Sequence, residues 1–308
     1  MRQSASTIMM VRPASFQFNS ETALSNEFQN NIDSLSQDAI LAKARAEFDT
    51  MVGELKSKNI DVLVIEDTVF PTKPDAIFPN NWISMSQDGI LTIFPMKTEN
   101  RRIEKRQDII ELIESNYIVK SKIDLSEYET KDIALEGTGS IVYDHLNRLA
   151  FACLSPRTDK ELFESYCQKI NYTPVIFNSY DDNAKLIYHT NVVMCMGSGY
   201  VVIGLDTVTD SIEKSMLENV FNQYNIEIVR LTNHQLLENF AGNMLQVESQ
   251  DGKLYLVMSQ KAFSSLTEIQ KKQISAYAEI LPVSIDIIEQ IGGGSARCMM
   301  AEIFLEKK

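Results

Sequence analysis

A chain of 308 residues with 44% hydrophobic and 23% charged side chains has ordinary globular make-up. A protein of that size buries roughly three quarters of its unfolded surface, which excludes disorder and fibrous folds. Its 29 Lys and Arg face 42 Asp and Glu, and the net charge of -13 repels phosphate backbones and anionic membranes, so neither nucleic acid nor a membrane is an expected partner.

Helical apolar spacing first appears over residues 36–57, through Ile40, Ala44, Phe48, Met51 and Leu55. Four more helices are expected. They cover 101–115, 158–170 behind a capping box from Thr158 to Glu161, 210–224 from Asp210, and 267–278 from Thr267 with Gln270 three positions on. A β-rich run follows each helix, at 61–66, 117–123, 172–177, 225–231 and 280–285. Hairpin-like stretches at 83–94, 140–154, 191–205 and 244–258 carry turn residues between apolar runs. The unit strand, strand, helix, strand thus recurs about every 57 residues, and repeats of that period point to a ring of modules. No Pro, Gly or Ser-rich linker divides the chain, so one α/β domain over residues 1–308 is expected. No apolar run approaches the roughly 18 residues of a membrane span, and the start lacks a signal-peptide core, so a cytoplasmic location is expected.

The four cysteines, Cys153, Cys167, Cys195 and Cys298, lie 14, 28 and 103 residues apart, which fits neither zinc-ligand pairs nor a disulfide framework. The three histidines form no HExxH motif, and Gly292, Gly293 and Gly294 precede no helix that would make a phosphate loop. Neither a metal nor another cofactor is expected.

Five polar residues stand just before the hairpins or in the C-terminal apolar strand: Asn81, Glu136, His189, Asn243 and Cys298. Their spacings are 55, 53, 54 and 55, so they occupy equivalent places in five modules. A ring makes equivalent places neighbours around its axis, which puts a thiol, an imidazole, a carboxylate and two amides in one pocket. Singly, each has a bland reading as a core cysteine or a turn residue; the shared period outweighs it. A thiol nucleophile with a histidine proton carrier suits attack on an electrophilic carbon bonded to nitrogen, and a carboxylate beside it suits planar N–H donors.

These motifs resemble those of the guanidino-group-modifying superfamily of amidinotransferases, arginine deiminases and dimethylarginine dimethylaminohydrolases, most closely the citrulline utilization hydrolases related to arginine deiminase. The resemblance runs from Met10-Val11-Arg12-Pro13 to Cys298. It implies a single-domain five-bladed α/β propeller (pentein). It also implies that Cys298 is the nucleophile, His189 the general acid and base, and Glu136 the acidic residue that orients guanidino nitrogens and His189. Asp75 and Asn81 match the substrate-side positions of an Asp-x-x-Phe-x-x-Asp pattern, and Arg102 and Arg157 resemble arginines that clamp an amino acid carboxylate. Three positions depart from the pattern. Asn81 stands where many relatives have a carboxylate, Gly139 replaces the Asp of Glu-Gly-Gly-Asp, and Asn191 replaces the Asp of His-x-Asp. Removing up to three negative charges leaves room for a neutral ureido group.

The expectation is therefore a metal-free cysteine hydrolase cleaving a C–N bond in the guanidino or ureido group of arginine, citrulline or a derivative. The alternatives are an amidinotransferase that uses a second amine in place of water, and a non-catalytic binding propeller. The substrate, leaving group and oligomeric state stay open at this point. Cys298 should lie within about 10 Å of His189 or Glu136, close enough for a bound planar group to bridge them, and the two ends of the chain should meet.

Overall fold

In the computed structural model the repeat visible in the apolar pattern becomes, among the described residues, fifteen strands in five separate three-stranded sheets. The structure describes residues 1–23, 26, 28–30 and 34–308. Four modules share one plan: an antiparallel hairpin, a helix, and a third strand parallel to the hairpin's second. They are β3 (Ile83–Met85), β4 (Ile90–Ile93) and β5 (Ser121–Asp124); β6 (Val142–Asp144), β7 (Leu149–Cys153) and β8 (Thr173–Phe177); β9 (Met194–Gly197), β10 (Tyr200–Ile203) and β11 (Glu227–Arg230); and β12 (Leu245–Glu248), β13 (Leu254–Ser259) and β14 (Glu279–Val283). The helix supplies the crossover that a parallel pair requires.

The fifth module is built from both ends of the chain. β1 (Thr7–Arg12) runs parallel to β2 (Asp61–Glu66) and antiparallel to β15 (Ala301–Glu302), with Ile8 opposite Glu302. Neighbouring modules touch through named contacts. Met85 bridges to Ile303, the Thr92 and Tyr166 hydroxyls are 3.1 Å apart, and Gln246 Nε2 donates to Ser4 Oγ at 2.8 Å and Ser198 Oγ at 2.9 Å.

Helix Gln37–Ser57 buries Ile40, Ala44, Phe48, Met51 and Leu55, the face its spacing predicts, with Ser36 capping it. Helix Ser211–Gln223 starts from Asp210, and Glu268–Ser275 carries the Thr267 and Gln270 capping box. Other expectations are corrected. Residues 101–115 form two helices, Glu99–Arg102 and Gln107–Asn116, separated by turns in which Glu104 N donates to Arg101 O and Arg106 N to Glu104 O. The cap of helix Lys160–Ile170 is Asp159, whose side chain accepts from Leu162 N, and not Thr158, which is buried. Tyr117 makes a single bridge to Lys307 rather than starting a strand. Among the described residues no helix is long and apolar enough to cross a membrane.

Candidate active site

Each of the five periodic residues sits on a short turn that leads into the first strand of its hairpin, or into β15. Asn81 ends the turn Pro79–Asn81, Glu136 precedes Gly137–Ser140, His189 precedes Thr190–Val193, and Asn243 stands just before β12. Cys298 lies in the one-turn helix Ala296–Met299, not in a strand. These turns pack on one another at the points where glycine is needed. Gly137 has φ +47°, and a Cβ there would meet Asn80 O at 2.3 Å. A Cβ on Gly139 would lie 2.4 Å from Asn81 Nδ2 and 2.7 Å from His189 Nδ1, so any side chain there would have to displace Asn81 and His189.

Asp75, Asn81, Arg157, His189 and Cys298 line one buried cavity with Arg101, Tyr188 and Phe78. The cavity holds about 10 Å³, room for about one water. Glu136 lies behind it and is fully buried: Oε2 is 2.8 Å from His189 Nε2 and 3.5 Å from an Arg157 guanidinium nitrogen, while Oε1 accepts from Lys97 N at 3.0 Å. Burial alone would raise the Glu136 carboxyl, but Arg157, His189 and Arg101 outweigh it and hold it down at about 2. Burial pushes the His189 imidazole down to about 4, against the pull of Glu136 and with that of Arg157 and Arg101. At neutral pH, therefore, a neutral His189 donates from Nε2 to an anionic Glu136. Its lone pair is on Nδ1, on the side of Gly139 and Asn81.

Two amides meet the Cys298 sulfur. Asn243 Nδ2 is 3.2 Å and Asn191 Nδ2 3.4 Å from Sγ. The Asn243 amide is fixed in this sense because Arg297 N donates to its Oδ1 at 3.1 Å while Nδ2 also donates to Asn191 O at 3.1 Å. Asn243 thus touches the sulfur, and Asn191, read from sequence only as a departure, is its partner.

The structure separates the two neighbouring arginines. Arg102 lies to the side, donating to Met96 O at 3.2 Å and Lys97 O at 3.3 Å, with a 26% exposed side chain 3.9 Å from Glu99 and Glu129 carboxylates. Arg101 enters the cavity instead, 2% exposed. It grips Glu104 with two bonds of 2.9 and 2.8 Å, donates to Phe78 O, and reaches Asn81 Oδ1 at 2.7 Å. With Oδ1 so engaged, Asn81 Nδ2 is a hydrogen-bond donor turned to the Gly139 side, without a partner among the described residues. Burial pushes Glu104 up to about 7 despite Arg101. The i, i+3 spacing of Arg101 and Glu104 was the available signal for this pair.

Asp75 is 2% exposed; Oδ2 accepts from Asn19 Nδ2 at 2.7 Å and Thr22 Oγ at 3.1 Å, and Oδ1 has no partner among the described residues. Burial raises its carboxyl above the ordinary value, with Arg101 opposing. Arg157 stacks on Tyr188, 4.9 Å from its ring centre, and donates to Thr22 O at 3.0 Å. Among the described residues no group of three His, Cys, Asp or Glu side chains could hold a metal ion.

This fold with its buried Cys298, His189 and Glu136 defines a member of the guanidino-group-modifying superfamily. The model of the family N,N dimethylarginine dimethylhydrolase, eukaryotic, matches residues 12–305, and the chain belongs to that family. No curated protein matches it in sequence. Among solved structures it resembles ArgZ, an arginine dihydrolase from the ornithine-ammonia cycle in cyanobacteria, at 16% identity and TM-score 0.74. That match covers 96% of this chain and 40% of ArgZ, so the chain spans well under half of that protein. The substrate-bound N-terminal domain of ArgZ is similar at 17% identity and TM-score 0.73, covering 97% of this chain and 99% of that domain. A dimethylarginine dimethylaminohydrolase adduct with S-methyl-L-thiocitrulline is similar at 13% identity and TM-score 0.63, with 96% of this chain and 99% of that one covered.

Proposed function

We propose that the chain is a cysteine hydrolase cleaving a C–N bond in the guanidino or ureido group of an amino acid, with citrulline-like ureido compounds as the preferred class. The observation that carries this reading is the shared cavity of Cys298 and His189, with Glu136 hydrogen-bonded behind the imidazole. The named activities of ArgZ and of dimethylarginine dimethylaminohydrolase support it.

Cys298 Sγ attacks the central carbon while the neutral His189 takes up the thiol proton and delivers it to the departing nitrogen. The C–N bond breaks, an amine or ammonia leaves, and the carbon stays on sulfur. His189 then deprotonates a water that attacks that carbon, and the C–S bond breaks to regenerate the thiol. From a ureido group the product is a carbamic acid, which loses CO2, so citrulline would yield ornithine, ammonia and CO2. Glu136 keeps Nε2 protonated and so leaves Nδ1 as the base.

The preference for a ureido group rests on two buried, unsatisfied atoms of residues that line the cavity, the donor Asn81 Nδ2 and the acceptor Asp75 Oδ1. A ureido group has a carbonyl to accept from the first and N–H groups to donate to the second. A guanidinium has donors only and leaves Asn81 Nδ2 buried and unpaired, which costs roughly 1–3 kcal/mol. Arg157 serves the α-carboxylate in this reading. Asn26 and Gln29 donate to Gly293 O and Gly292 O over the cavity, and these bonds must open to admit an amino acid into so small a space.

The five sheets are read as the blades of one closed propeller in a single domain over residues 1–308, supported by the β1 to β15 pairing and the contacts between successive modules. The four free cysteines support a cytoplasmic location. The test is acid quenching during turnover of citrulline and arginine followed by mass spectrometry. A substrate-derived mass on the peptide containing Cys298, absent from Cys298→Ser, is expected; turnover persisting in Cys298→Ser rules the mechanism out.

A further inference from the structure

Asn191 and Asn243 reach the nucleophile without occupying the space a substrate would fill. Both are buried, and neither lines the catalytic cavity that Cys298 shares with His189. Their Nδ2 atoms stand 3.4 and 3.2 Å from Cys298 Sγ. Among the described residues the Asn191 side chain makes no other hydrogen bond, and its Oδ1 has no partner.

The turns that carry the two amides are fixed in the fold. Thr190 Oγ1 donates to Ser140 O at 2.5 Å and accepts from Cys153 N at 2.8 Å, and Asn243 Nδ2 donates to Asn191 O at 3.1 Å. A Cβ at Gly242 would meet Val192 O at 2.0 Å, so glycine lets the second turn pack on the first. Donors held in place in this way need no reorganisation when charge develops beside them.

A neutral thiol is a weak hydrogen-bond acceptor and a thiolate a strong one, so both contacts strengthen when the sulfur loses its proton. In the resting thiol that proton is within reach of Asn243 Oδ1, 3.6 Å from Sγ. We propose that Asn191 and Asn243 are catalytic residues, a pair of donors for the negative charge that Cys298 Sγ carries in both half-reactions. In the first, the thiol proton passes to His189, a sulfur lone pair forms the C–S bond, and the nitrogen leaves with the C–N pair and the proton from His189. In the second, the C–S pair returns to Sγ before the same two donors, and the proton that His189 took from water returns to the sulfur. The role in turnover rests on the hydrolase reading; the hold on the sulfur does not. Where the related His-x-Asp motif has an acceptor, Asn191 supplies a donor, which matches a ureido substrate that brings no positive charge to the sulfur.

The Cys298 thiolate is titrated by its ultraviolet absorbance, with the Cys298→Ala titration subtracted, in the wild type, Asn191→Ala and Asn191→Asp. Asn191→Asp keeps the side-chain shape and replaces the donor with an acceptor. Asn243→Ala would also break the bond to Arg297 N, so Asn191 is the cleaner probe. Asp75, Arg101, Glu136, Arg157, Tyr188 and His189 at the cavity are common to all these chains and cancel in the comparison. The pH of half-ionisation should rise by about one pH unit or more in both variants, and further in Asn191→Asp. Their kcat for citrulline should fall roughly tenfold or more with KM within about threefold, the split expected when a contact to developing charge is lost. Whichever of the two variants folds carries the test. An unmoved midpoint in a folded variant overturns the proposal, as does a moved midpoint with kcat unchanged. A loss confined to KM makes Asn191 a substrate-binding residue and overturns it too. A moved midpoint in a chain that forms no Cys298 adduct would sink the hydrolase reading and leave the two donors to the sulfur standing.

Discussion

His189 Nε2 lies 2.8 Å from Glu136 Oε2, with both side chains out of solvent. The folded imidazole is held at about 4, below its ordinary value of 6.5, so the unfolded chain takes up a proton at His189 at higher pH than the folded one. Its contribution to stability is complete above about pH 6.5 and falls as the pH drops toward 4. Other buried groups titrate too: Glu104 and Glu289, each pushed up to about 7, act in the opposite sense. The clean quantity is therefore the stability difference between the wild type and His189→Asn, measured by urea unfolding at several pH values. We expect that difference to shrink on acidification from pH 6.5 to 4. A difference independent of pH would show that His189 is not held neutral.

The two adjacent arginines should behave oppositely. Arg101→Ala leaves Glu104 buried without its partner and removes the bond to Asn81 Oδ1, a loss of roughly 3–5 kcal/mol for a broken buried pair. Arg102 is a quarter exposed and its carboxylate contacts are 3.9 Å long, so Arg102→Ala should cost under about 1 kcal/mol and leave turnover within a few-fold. Thermal unfolding and ammonia release on both variants decide it; a stable, active Arg101→Ala would contradict the assignment.

Gly139 and Gly53 make a contrasting pair. A Cβ at Gly139 collides with Asn81 and His189, so Gly139→Ala should cost about 1–3 kcal/mol by overpacking and lower turnover by tenfold or more through a displaced imidazole. Gly53 lies within helix Gln37–Ser57 with nothing within 4 Å of an added Cβ, so Gly53→Ala should stabilise the chain by about 0.4–1 kcal/mol without touching turnover. Melting temperatures moving in the same direction for both would contradict this picture.

What the sequence made legible depended on periodicity. Helix Gln37–Ser57 and the four hairpins follow from apolar spacing and turn residues, and the common interval of the five polar residues brought Asn81, His189 and Cys298 to one cavity. The choice between Arg101 and Arg102 had only the i, i+3 spacing of Arg101 and Glu104 as a signal, because a run of basic residues does not itself say which side chain is buried. Nor was the role of Asn191, since its contact to Cys298 Sγ spans 107 residues and depends on how two turns pack.

The substrate preference turns on one atom of Asn81. Its Oδ1 is engaged by Arg101 at 2.7 Å, so the free Nδ2 must act as a donor. Asn81→Asp would keep the Arg101 bond through one oxygen and present a second oxygen where the donor had been. A ureido carbonyl would then face an acceptor, while a guanidinium would gain an anionic partner. Losing a hydrogen bond and leaving a buried acceptor unpaired is worth roughly 1.5–3 kcal/mol, or about 10–150-fold in relative rate. The ratio of kcat/KM for citrulline to that for arginine should fall by that factor in Asn81→Asp, with citrulline losing rate and arginine holding or gaining it. A ratio that stays constant, or moves toward citrulline, would refute the donor role of Asn81 and with it the ureido preference.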